Sequence, residues 1–591
     1  MVKIEQIRQK IVNFFRRLHL PEYVFLVLVA FIIGAIAALG SYLFLKGIEL
    51  LWKEYFIPIL VICQSALIYR ILVPFLPLMA ALSLFLLAKL FSSNIYGYGF
   101  PNLLTNVNLR GGIISIKDTF GRILGALVTL GLGGSAGQEG PIAQIGCLVG
   151  GIISRFFVVS EQRRRTFIAC GSAGAIASVF NAPIAGTFFA LEIVLLGDFE
   201  LINFMPVVVS AGMGTIVSRI LFGNKPIFAL PPYSFVTYWE LFFYILLGFF
   251  LGLLAYFFIR VFYTTKEYFS RLSISSYLKP FIGFFIVGII GMFFPQIFGV
   301  GYEHVQAVLD GKMLPALMFL LVFLKIIATA ITLGSGGVGG MFSPAFYIGA
   351  MAGGSFGTVV HHFFPQITAS YPAYAVVGIA AFLAALTHAP VTAVFLAFEM
   401  TGDYYIILPI LFASIIGVIV AYAFSHDSID TYELTQQGIN IHAGHERNIL
   451  ASIRVKDAMT HNVIVVPEDM TFNDFIHFVR DKKHTCFPVV NEKGELSGII
   501  SFQNFREILA DEKIQKDRIL VKDMSTKEII AALPDETLEK AMEKMRYHHI
   551  ERLPVVDPKD PKKLIGFLSQ RDVWTAYNKA LLTQMGREEE L

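Results

Sequence analysis

A single carboxylate, Glu139, stands inside the run Gly134-Ser135-Ala136-Gly137-Gln138-Glu139-Gly140-Pro141. The surrounding sequence is apolar enough for a membrane interior. A charged side chain there costs at least about 2.5–3.5 kcal/mol, so an ionisable group reads as functional. Glycines leave the backbone N–H groups uncovered. A proline in the first turn starts a helix whose N-terminal N–H groups and dipole point at whatever lies in front. Such a helix end is an anion site, and here a titratable anion of the protein's own sits beside it. The sequence has no paired-histidine metal motif, nucleophile elbow or Walker loop, so neither enzyme chemistry, nor a metal, nor a required cofactor is expected.

The elements that position this turn belong in a bilayer. Of 591 residues, 55% are hydrophobic and 15% charged, and the mean hydropathy is +0.65. That excludes a soluble globular chain of this size. Charges are sparse from about residue 22 to 425 and dense afterwards, so a membrane region precedes an aqueous one. Apolar segments fall at 23–48, 71–91, 123–132, 142–157, 166–180, 184–196 and 205–221, then at 241–262, 281–294, 314–333, 345–360, 373–386, 391–400 and 406–424. Several are shorter than the ~20 residues of a full span, and glycine and proline interrupt them. Broken helices are tolerated at membrane depth where their ends line a cavity inside the protein, which is the architecture of a pore or transporter.

The flanks add sidedness. Lys3, Arg8, Lys10, Arg16 and Arg17 alternate at helical spacing with Ile4, Ile7, Ile11, Phe14 and Phe15. Residues 1–21 are therefore expected to form a basic amphipathic helix on the cytoplasmic face, or else a solvated extension on the same side. Cys63, Cys147, Cys170 and Cys486 share no metal-ligand spacing and imply no disulfide framework. The net charge of +3 says little by itself, and no nucleic-acid partner is expected.

Two internal repeats organise the chain. Asn181-Ala182-Pro183-Ile184-Ala185-Gly186-Thr187-Phe188-Phe189-Ala190-Leu191-Glu192 matches the twelve-residue run from His388-Ala389-Pro390 to Phe398-Glu399, and Gly134-Ser135-Ala136-Gly137 returns as Gly334-Ser335-Gly336-Gly337. The preceding helices match too, with Gly171 and Gly378 in the same place. An odd number of crossings per copy would make the copies, about 22–222 and 237–424, inverted, with broken helix ends meeting near the midplane. Beyond residue 424 a smaller repeat sets Val455-Lys456-Asp457-Ala458-Met459 against Val521-Lys522-Asp523-Met524, and Gly498-Ile499-Ile500-Ser501 against Gly566-Phe567-Leu568-Ser569. Its short β-branched strands alternate with helices, an α/β pattern.

These residues resemble the CLC family of chloride channels and proton-coupled chloride transporters. The family's G-[KR]-E-G-P stands as Gly137-Gln138-Glu139-Gly140-Pro141, its G-x-F-x-P as Gly340-Met341-Phe342-Ser343-Pro344, and its G-S-G-I-P, altered, as Gly97-Tyr98-Gly99-Phe100-Pro101. The tail resembles a pair of CBS modules. The resemblance implies a polytopic α-helical membrane domain at 22–436 with inverted repeats and broken helices. A linker at 437–450 and cytoplasmic α/β modules at 451–512 and 517–582 would follow. It further implies a homodimer with one anion pathway per subunit and both termini cytoplasmic, in a prokaryotic plasma membrane. Glu139 becomes the gating glutamate, which mimics the halide when ionised and swings out when protonated. Gly137, Gly140, Met341 and Phe342 become anion-binding backbone, with Tyr98 at the central site.

Three departures bear on mechanism. Tyr98 replaces the family's serine and Gln138 its lysine or arginine. Proton-coupled members carry an acid one residue after the position of Glu192, where this chain has Ile193. Glu192 and Glu399 then read as structural carboxylates at helix ends, with Glu192 retained as a proton carrier through water. Asp427-Ser428-Ile429-Asp430 aligns with D-S-I-Y, so either Tyr432 or Asp430 caps the anion near the exit. The resulting expectation is chloride conduction in the manner of a channel, gated by protonation of Glu139. The alternative is an H+/Cl− antiporter with a different internal proton route. A CBS-regulated cation transporter is more remote, since the pore motifs offer amides rather than acids. In the tail the resemblance implies an adenine nucleotide as an optional ligand held by Ser569 and Asp572, or no nucleotide at all.

Overall fold

The computed structural model describes residues 21–65, 67–91, 95–224, 227–228, 236–441, 450–451, 453–480, 482, 485–501, 504 and 518–588. The expected N-terminal amphipathic helix lies outside them. The chain divides into two compact units, Met1–Ile439 and Asn440–Leu591.

Among the described residues of the first unit the regular elements are helices, joined by turns and loops. Among the described residues seven helices are long and apolar enough to cross a membrane: Tyr23–Ser65, Ile68–Leu90, Glu139–Phe157, Leu201–Phe222, Glu240–Arg271, Pro315–Gly334 and Ile407–Phe424. Shorter apolar helices at Pro183–Val194, Lys279–Phe293, Tyr371–Thr387 and Pro390–Thr401 pack among them. The first helical stretch runs on past the apolar segment 23–48 and carries the charges Lys46, Glu49 and Lys53. Those charges pair on the helix exterior, Lys46–Glu49 at 2.7 Å and Lys53–Glu49 at 2.9 Å. The chain passes them through a π-helical turn, Leu51–Phe56, and continues helically to Ser65.

Interior helices meet backbone to backbone. A Cβ on Gly146 would lie 2.1 Å from the carbonyl oxygen of Gly171, and one on Gly171 would lie 1.9 Å from that of Gly146. The second half repeats the crossing with Gly349 and Gly378, at 2.4 and 2.3 Å. Small residues at a crossing let helices approach until backbones touch, which supplies packing where lipid offers no hydrophobic drive.

Among its described residues the second unit carries two small sheets. Strand β1 (Val466–Pro467) pairs parallel with β2 (Cys486–Val490), which pairs antiparallel with β3 (Leu496–Ser501). Strands β4 (Arg552–Asp557) and β5 (Asp560–Ser569) form an antiparallel pair. Each sheet has its own apolar core, built around Phe475, Phe487 and Ile500 in one and Met545, Val555 and Leu568 in the other. The unit is thus α/β, as its alternating pattern indicates.

Candidate functional site

Two loops cross at the centre of the membrane unit. Gly137 N–H donates to the Gly340 carbonyl at 2.8 Å and Gly340 N–H returns the bond to Gly137 at 2.7 Å. This two-residue antiparallel bridge holds the starts of two helices together, α1 (Glu139–Phe157) and α2 (Phe342–Phe363). No side chain fits there, since a Cβ on Gly340 would lie 2.7 Å from the Gly140 nitrogen. The bridge also uses the N–H of Gly137, one of the residues the sequence reading assigned to the anion. The first-turn amides of both helices, including those of Gly140 and Phe342, have no partner within their own helix.

Glu139, fully buried, reaches across this junction and caps α2. Its carboxylate accepts Ser343 N–H at 2.9 Å, the Ser343 hydroxyl at 2.5 and 2.6 Å, and the Tyr302 hydroxyl at 2.5 Å. A carboxylate that replaces its hydration with a backbone amide, two hydroxyls and a helix dipole is held as an anion would be.

Neither hydroxyl was singled out in the sequence. Ser343 lies within the Gly340–Pro344 motif, whose glycine and aromatic residues drew the reading instead. Tyr302 had a signal: Ile95-Tyr96-Gly97-Tyr98-Gly99-Phe100 and Ile297-Phe298-Gly299-Val300-Gly301-Tyr302 are matching segments of the two halves. Each brings a tyrosine to a buried carboxylate. Tyr98 donates its hydroxyl to Asp430 Oδ1, as Tyr302 does to Glu139.

Asp430 is 2% exposed. Its loop is fixed by Ile429 N–H to the Leu386 carbonyl at 3.0 Å, the Tyr263 hydroxyl to the Ile429 carbonyl at 2.7 Å, and Asp430 N–H to Ser428 Oγ at 3.2 Å. Tyr432 turns elsewhere: its hydroxyl accepts from Arg260 at 3.1 Å and its ring stacks on Tyr263. Of the two alternatives, Asp430 is the one beside Tyr98.

Glu192 and Glu399 hold each other's half of the molecule. Glu192 accepts the Val391 and Thr392 amides at 3.1 and 2.7 Å and the Thr392 hydroxyl at 2.6 Å, at the start of α3 (Pro390–Thr401). Glu399 accepts the Ile184 and Ala185 amides at 3.0 and 2.7 Å, behind Pro183. Prolines at the first turn donate no N–H, so each carboxylate spans the next two amides. The neighbouring Ile193 is buried and apolar.

In the second unit, Asp572 Oδ2 accepts Ser569 N–H at 2.9 Å and its hydroxyl at 2.6 Å, while Asp572 N–H donates to Ser569 Oγ at 3.2 Å. This capping box starts the helix Gln570–Glu588. Both residues line a cavity of about 540 Å³ with Thr460, Arg552 and Arg571. The first module matches it: Asn504 Oδ1 accepts Ser501 N–H at 2.8 Å and its hydroxyl at 2.7 Å, beside a second cavity of about 440 Å³. Cys486 lines both cavities, and burial pushes its thiol up to about 11, which keeps it inert at neutral pH.

Comparison with known proteins bears on both units. The family model described as voltage gated chloride channel matches residues 79–422, and that of the CBS domain matches 455–511 and 521–573. A ClcB-like chloride channel protein of Ralstonia nicotianae is 34% identical over 335 residues, 56% of this chain and 78% of its own. An H+/Cl− exchange transporter ClcA of Vibrio campbellii is 31% identical over 306 residues, 51% of this chain and 65% of its own. Among solved structures, a slow cyanobacterial Cl−/H+ antiporter superposes with a TM-score of 0.65 at 25% identity, covering 71% of this chain and 98% of the antiporter.

Proposed function

The chain belongs to the voltage-gated chloride channel family and ends in a CBS pair, and from that premise we propose that it exchanges protons for chloride across a membrane, with Glu139 as the group both ions use. One observation carries the reading. The Glu139 carboxylate sits on the amide and hydroxyls at the start of α2, where a transported anion would bind. Chloride and carboxylate compete for those donors. A proton on Glu139 removes its charge and weakens its hold, so proton arrival and anion passage become alternating events at one place. Anions held by amide dipoles leave readily, which turnover requires. Gly140, Met341 and Phe342 would supply the remaining backbone donors. The relatives named as exchange transporters support coupling over passive flow.

Channel-like conduction is the second reading, and Ile193 favours it because an isoleucine carries no proton. Under either reading we infer a homodimer of inverted repeats with both termini cytoplasmic. The CBS pair would bind an adenine nucleotide beside Asp572. Purified protein in liposomes decides between the readings. With valinomycin clamping the potential, an outward chloride gradient should drive protons inward against their own gradient. Chloride flux without proton movement would establish the channel and end the exchange reading.

A further inference from the structure

The Asp430–Tyr98 pair poses a problem that Glu139 does not. Glu139 has donors on both oxygens, whereas Asp430 Oδ2 is buried with no hydrogen-bond partner among the described residues. A lone pair buried on an ionised carboxylate without a donor is costly; the same oxygen carrying a proton is a donor awaiting an acceptor. The surrounding charges do not relieve it. Glu433 is paired with Lys266 at 2.6 Å, Arg260 with Tyr432, and Tyr263 with the Ile429 carbonyl. Asp427 accepts from Thr435, and the Arg122 guanidinium packs against Gly99, where a Cβ would lie 1.9 Å from Nη1.

Its position links it to the Glu139 junction. Tyr98 stacks on Phe100 (6.5 Å between centroids), Phe100 meets Phe189 (6.2 Å), and Phe189 meets Phe342 (5.5 Å), the neighbour of Ser343. Asp430 follows the last membrane helix, Ile407–Phe424, at the end where the chain leaves for its polar second unit. Resting on the exchange reading above, we propose that Asp430 is a second, proton-operated gate at this end of the anion path. Ionised and held by Tyr98, it repels chloride and closes the path. Protonated, it offers its Oδ2–H to the passing anion and carries a proton into the path.

The test uses full-length protein in liposomes of known orientation. In the Glu139→Gln background the other gate no longer titrates, so any remaining pH response of chloride flux isolates Asp430. Lowering pH on the second-unit side should raise that flux, up to tenfold per pH unit above the midpoint, and Glu139→Gln/Asp430→Asn should be fast and flat with pH. Tyr98→Phe removes a donor to the ionised form and should move the midpoint to higher pH, which keeps the test open if the asparagine variant fails to fold. An unchanged pH response in Asp430→Asn, or no midpoint shift in Tyr98→Phe, overturns the gate. If wild-type protein moves no protons yet the Asp430-dependent response persists, the exchange reading falls and the gate stands.

Discussion

The two halves of the membrane unit agree where they build and differ where they act. Gly146 on Gly171 and Gly349 on Gly378 are the same crossing made twice, and Glu192 and Glu399 make the same cap in both directions. At the central junction the loops still exchange matched hydrogen bonds, Gly137 with Gly340. Two residues further on the halves differ in charge: Glu139 in one corresponds to Phe342 in the other. The small repeat does the same, with Asp572 and Asn504 in one backbone arrangement but with different charge. Duplicated backbone gives a scaffold, and an unmatched charge on it gives a site.

The largest effect expected from breaking this contrast is at Glu139. Glu139→Gln keeps the shape and removes the titration, so proton flux should fall to that of protein-free liposomes while chloride still flows. A chloride-driven proton signal at the wild-type rate would show that the unmatched carboxylate is not the site.

Next come the matched crossings. Gly171→Ala and Gly378→Ala each force a methyl into a backbone carbonyl, and overpacking of this kind costs about 1–3 kcal/mol. Both should lower thermal stability in detergent by similar amounts, without altering the ratio of protons to chloride. A ratio that changes in one variant alone would move that crossing from scaffold to mechanism.

A smaller loss is expected from Glu192→Gln and Glu399→Gln. A charge at a helix start is worth about 0.3–1 kcal/mol, up to about 2 kcal/mol when partly buried, and a glutamine still accepts one amide. Equal small shifts in melting temperature support a shared scaffolding role. A selective loss of proton flux in Glu192→Gln would make it a carrier instead.

The last contrast lies in the second unit and leaves transport itself untouched. Hydrogen bonds to a charged group are worth about 1.5–3 kcal/mol, so Asp572→Asn should weaken ATP binding roughly tenfold or more in the full-length protein while leaving unliganded chloride flux intact. Calorimetry that finds the same affinity in both proteins would place any nucleotide elsewhere.

Much of this was legible before the fold. Glu139 announced itself as a charge among glycines in an apolar segment, and the repeats in both units could be read from spacing alone. Tyr302 and Ser343 were harder, because a hydroxyl carries no charge penalty to mark it in a sequence.

By itself, the sequence determined the class of the protein, its two-unit order, its duplicated halves and the carboxylate at their centre, because composition and period are properties of the chain. The tertiary structure decided which partners each carboxylate keeps. Glu139 and Ser343, like Asp430 and Tyr98, are far apart in sequence, and only the packing of broken helices sets how many donors each buried oxygen receives. That count separates a satisfied anion at Glu139 from a carboxylate at Asp430 with one oxygen still unpartnered.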